Sequence, residues 1–95
     1  MKLHDEIESM IIALKNWDGN KESLNEWLVD EFGNFQKNID KEIPDSDLFH
    51  KALDESDKIL GLLAQAGSKD EDFGEPFEYV KTAIEKLEQF KEKYL

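Results

Sequence analysis

Phe49-His50-Lys51-Ala52-Leu53-Asp54-Glu55-Ser56-Asp57-Lys58-Ile59-Leu60-Gly61-Leu62-Leu63 is the stretch on which the fold turns. Phe49, Ala52, Leu53, Ser56, Ile59, Leu60 and Leu63 fall on one wide face at steps of three and four. That is the spacing of an α-helix that buries one side. No alternation of period two competes with it. Asp45 or Ser46 can cap this helix at its start, and Gly67 suits the C′ position at its end.

The same pattern recurs outward in both directions. Upstream, Leu24, Leu28, Phe32, Phe35 and Ile39 keep helical phase across Gly33, which costs about 1 kcal/mol against Ala in a helix interior. The phase predicts one helix over 21–42, bent at Gly33. Pro44 disfavours helical geometry at Ile43 and ends it. Further back, Leu3, Ile7, Met10, Leu14 and Trp17 predict a helix over 3–17, stopped at Asp18-Gly19-Asn20 with Asn20 placed to cap the next. Downstream, a connection from Gly67 to Glu75 leads to Pro76, a residue suited to the first helical position. Phe77, Val80, Ile84, Leu87 and Tyr94 then mark a helix over 76–94. Residues 1–95 read as a single domain: an all-α, antiparallel, up-down-up-down four-helix bundle. Trp17, Leu24, Leu28, Phe35, Leu53, Ile59, Leu60, Leu63, Val80, Ile84 and Leu87 are its expected core. Ile12, Val29, Leu62 and Phe90 fall outside the stripes.

Composition narrows the functional classes. Twelve Lys, no Arg and 23 acidic residues give a net charge of −11. Such a surface repels phosphate backbones and anionic membranes, and it lacks the bidentate guanidinium clamp, so direct nucleic-acid and membrane binding are not expected. Without Cys there is no disulfide, thiol nucleophile or thiolate metal site. No apolar run approaches the roughly 20 residues of a membrane span. The start, Met1 to Glu6, lacks the apolar core of a signal peptide, which predicts a cytoplasmic protein.

The acidity is uneven. Residues 18–57 carry twelve acids against four lysines, whereas 79–95 is mildly basic. Glu22, Glu26 and Asp30 form a row at i, i+4 and i+8 opposite the apolar stripe, with no lysine one turn away. Asp47 and Asp54 fall on the outer face of the next helix. Val29 lies beside Asp30, giving an apolar point within an acidic rim. Glu22, Glu26, Val29, Asp30, Asp47 and Asp54 are therefore the candidate partner-binding residues. The bland reading of these acids is a solvated surface.

Catalytic and metal chemistries fail on spacing. Di-iron bundles need inward Glu residues and Glu-x-x-His, whereas the nearest match here is an outward Asp47-x-x-His50. Glu31 falls in the apolar arc between Trp27 and Phe35, where it can snorkel at the edge. His4 sits in a terminus expected to fray. In Asp70 to Glu75, Gly74 is fifth rather than sixth, and Lys81 stands where a calcium loop needs its last acid. The expectation is a non-enzyme with no metal and no cofactor.

Two resemblances bear on function. Asp45-Ser46-Asp47-Leu48 resembles the prosthetic-group motif of acyl carrier proteins, with Asp47 where that family has Leu and Ile43-Pro44 in place of a Gly pair. That resemblance implies a carrier or enzyme accessory role through Ser46. In size and charge the chain resembles colicin DNase immunity proteins as a class, although it has no Tyr-Tyr pair. That likeness implies a non-enzymatic inhibitor of a basic partner such as a nuclease toxin. A DNA-mimicking anti-defence protein is a variant of the same idea. Monomer and homodimer are both open, the latter through Ile12, Val29 or Leu62.

Overall fold

The computed structural model describes residues 2–68 and 75–95, and among them every regular element is helical. The first helix, Lys2–Lys15, buries Leu3, Ile7, Met10, Ile11 and Leu14. Its start is pinned rather than frayed, because the Leu3 N–H donates to the Glu42 carboxylate at 3.0 Å. It ends two residues earlier than the periodicity predicts. Asn16 Nδ2 turns back onto the Ile12 carbonyl at 3.0 Å, and Gly19 takes φ +92°, a conformation that L-residues avoid. Trp17 consequently lies in the turn, its indole Nε1 donating to the Asn20 carbonyl at 2.9 Å. Asn20 caps the second helix by accepting from the Ser23 N–H at 3.0 Å.

The second helix runs over 21–42 in three parts: Lys21–Trp27, a π-helical turn Leu28–Phe32, and Gly33–Glu42. The irregularity thus precedes Gly33, which is itself an ordinary helical residue with φ −60°. A π turn inserts an extra residue and rotates the rest of the helix about its axis. Here it turns Glu31 out of the apolar arc into solvent and brings Phe32 to full burial.

Asp45 caps the third helix, Ser46–Ala66, accepting from the N–H groups of Asp47 and Leu48 at 3.0 and 3.1 Å. Ser46 is the exposed first residue of that helix. Gly67 ends it in a right-handed conformation and is closely approached from the second helix. Its carbonyl accepts from Asn25 Nδ2 at 3.1 Å, and a Cβ there would overlap the Asn25 carboxamide. Residues 69–74, and with them most of the acidic stretch compared with a calcium loop, lie outside the described residues. The fourth helix is Pro76–Tyr94, opened by its proline.

Contacts between helix ends set the topology. Leu3 meets Glu42 and Asn25 meets Gly67, so the first three helices alternate in direction, and Lys93 near the end of the fourth meets Glu55 midway along the third at 2.7 Å. Lys91 donates to Glu8 at 2.9 Å and closes the ring between the fourth and first helices. The protein is an all-α four-helix bundle.

Buried seams are narrower than the expected apolar faces. On the third helix the seam is Ala52, Ser56, Ile59, Leu63 and Ala66, with Leu53 and Leu60 only half-buried beside it. On the fourth it is Val80, Ala83, Leu87 and Phe90, leaving Ile84 at the flank and Phe77 exposed. Trp17 is likewise half-buried. Small residues (Ala52, Ser56 and Ala66 on the third helix, Ala83 on the fourth) stand within the seams, which lets the helices approach closely and turns larger neighbours outward. Phe90 is a correction in the other direction, being core rather than edge. It continues a file of rings from Trp27 through Phe32, Phe35 and Phe90 to Tyr94, with Phe35 and Phe90 edge to face at 5.5 Å.

Candidate functional site

Glu22, Glu26 and Asp30 are all exposed on the second helix. Asn25, Glu26, Val29 and Asp30 line one shallow depression on that helix, and Val29 is 77% exposed. Neither Glu26 nor Asp30 makes an ion pair with another described residue. On this helix an exposed apolar side chain thus stands beside two carboxylates.

Asp47 and Asp54 are exposed but stand elsewhere. The pairs Asn25–Gly67 and Gln36–Ser56 fix the register of the second helix against the third. At 1.5 Å per residue this puts Asp54 about 12 Å, and Asp47 roughly 20 Å, along the bundle from Asp30. Asp54 also pairs with Lys58 at 3.5 Å. A small partner touching Val29 would reach Asp54 more readily than Asp47. Of the other apolar candidates, Ile12 is exposed, whereas Leu62 is half-buried and packs on the core.

The bundle's basic side lies between the third and fourth helices, where Glu55, Lys58, Lys86, Gln89 and Lys93 surround Ile59. Lys93 is neutralised by Glu55 and Lys58 by Asp54. Two of the ion pairs are electrostatically marked. The Lys91 ammonium, donating to Glu8, holds that carboxyl below its ordinary value, and Lys91 is raised in return. Lys93 is raised by its bond to Glu55, and burial pushes the Tyr94 phenol up. A raised folded pKa means that the native state keeps its proton longer, so this contribution is complete below about pH 10 and lost above it. The Glu8 contribution has the opposite sign and is lost in acid. Urea denaturation at pH 8 and again near pH 11 is expected to show lower stability at the higher pH, with a smaller drop in Tyr94→Phe.

His4 lies within 3.8 Å of Asp5 and 3.9 Å of Glu8. His50 is exposed with its ring against Phe49. Among the described residues no three His, Asp or Glu side chains are grouped so as to hold a metal ion. No described helix is long and apolar enough to cross a membrane. Comparison with known proteins finds no matching family model, no matching curated protein and no matching solved structure.

Proposed function

We propose that this chain is a non-enzymatic protein-binding module of the cytoplasm whose acidic second helix receives a basic partner. Its most concrete form is an immunity or inhibitor protein that neutralises a cationic toxin, for instance a nuclease. The observation that carries the reading is Val29, an exposed apolar side chain that lines a shallow depression together with Glu26 and Asp30. Interfaces of this kind combine an apolar point that loses water with a charged rim that steers the encounter. The net charge of −11 adds a long-range field of one sign.

The test is affinity capture from the native host with wild type and with the Glu26→Lys/Asp30→Lys double variant, followed by mass spectrometry. A basic protein retained by wild type and lost by the variant is the expected result. Retention by both would leave the acids as solvating charge.

A second reading keeps one specific observation. Ser46 is exposed and opens a helix, as a carrier's prosthetic-group serine must. The binding-module reading predicts an unmodified intact mass on purification from the native host. A phosphopantetheine adduct on Ser46 would replace it with the carrier reading.

A further inference from the structure

Beyond the Trp17–Asn20 turn that links them, the first and second helices are held together by hydrogen bonds at the opposite end. Leu3 is bound to Glu42, and Asn38 donates to Glu6, while the first helix packs mainly on the Gly33–Glu42 part of its neighbour. Towards the Trp17 turn the two helices leave a cleft between them. Asp5, Ser9 and Ala13, at i, i+4 and i+8 of the first helix, form its first wall together with Trp17 in the turn beyond. Trp27, Glu31 and Asn34 form the second. Ser9 and Ala13 are too small to fill the gap, and the π turn has swung Glu31 outward onto its rim. Buried Met10, Leu14 and Leu24 lie beneath.

We infer that this cleft receives the apolar edge of a basic amphipathic helix from the partner protein. The inference rests on the protein-binding reading above and names the other half of that surface, since Trp27 directly follows Glu26 and lies one turn before Asp30. Three observations select this occupant. Both tryptophans of the chain line the cleft, and the depression between them measures about 140 Å³ with an almost wholly apolar lining. An apolar cavity of about 150 Å³ accepts a benzene, so this one accepts a large apolar side chain.

The charged residues lining the cleft are Asp5, Glu6 and Glu31, all carboxylates. They are complementary to Lys or Arg flanking the apolar stripe, and the Trp faces add cation–π attraction. A second copy of this chain, at −11, would bring acid onto acid. The helical part of the wall, Asp5 to Ala13, extends about 12 Å with Trp17 beyond it, enough for two turns of helix with anchors at i, i+3 or i+4, and i+7.

The probe is a synthetic peptide of about 18 residues, with Leu at those anchor positions and Lys flanking them. Its controls are a scrambled sequence of equal composition and a version with Glu for Lys. Titration into the labelled protein is followed by amide chemical shifts and calorimetry. Saturable shifts at Ser9, Ala13, Trp27 and Glu31 are expected, with neither control binding. Ala13→Phe, which fills the cleft from an exposed position, is expected to weaken binding roughly tenfold or more. Its native amide spectrum is the check on folding. Shifts confined to Asn25, Val29 and Asp30 would overturn the cleft while sparing the acidic face. Equal binding to Ala13→Phe, or no saturable shift at millimolar peptide, would also overturn it. The captured-partner experiment with Glu26 and Asp30 decides the wider reading separately.

Discussion

Phe35→Ala is expected to remove about 3–5 kcal/mol of folding stability, the range for truncating a buried aromatic in a core. Phe35 is 1% exposed and touches two rings, Phe32 at 5.3 Å and Phe90 at 5.5 Å, so its loss opens a void that neither neighbour can fill by rotating. It also couples the second helix to the fourth across the bundle. A chain of this size has about 5–15 kcal/mol in total, which leaves the variant marginal. Urea denaturation should show a much lower midpoint with the slope retained. A loss below about 1 kcal/mol would mean that the aromatic file does not hold the bundle together.

The second large effect separates two leucines on the third helix. Leu63 is fully buried in the seam and Leu60 is half-buried at its flank. Leu63→Ala is expected to cost about 2–5 kcal/mol, and Leu60→Ala about 1 kcal/mol, because only part of its surface leaves water on folding. Denaturation midpoints of the two variants, measured together, check the difference. Equal losses would move the seam back to the wider face that periodicity alone suggests.

Leu60 shows where the sequence stops being legible. Periodicity places the four helices well, since steps of three and four survive any local irregularity. Asn20, Pro44 and Pro76 mark boundaries through capping and backbone geometry that act locally. Which part of an apolar face becomes the seam depends on how closely the neighbouring helix approaches, and this is set by Ala52, Ser56, Ala66 and Ala83. Small residues carry little weight in a hydrophobic pattern yet decide the contact. Phe90 was hidden for the same reason, as it follows Ala83 along the seam rather than Ile84.

The candidate surface divides in the same way. Glu22, Glu26, Val29 and Asp30 belong to one helix, so their proximity follows from sequence spacing. Asp47 and Asp54 belong to another, and their distance from Val29 follows from the inter-helix register that Asn25 and Gln36 establish. The cleft between the first two helices had no sequence signature at all. It depends on a π turn that leaves the hydrophobic stripe intact, and on how sparsely the first helix packs against Lys21–Trp27.

The central claim is that acids on the second helix steer a basic partner, and the association rate as a function of salt tests it most directly. With the captured partner purified, wild type is expected to associate roughly tenfold or more slowly when salt is raised from about 50 to about 300 mM, as surface charges become screened. Glu26→Lys/Asp30→Lys is expected to associate slowly at both concentrations, with a flattened dependence and an unchanged circular dichroism spectrum. Lys81→Glu/Lys86→Glu, on the mildly basic fourth helix, should retain the wild-type profile. A rate indifferent to salt, or the same response from both double variants, would contradict a local docking face.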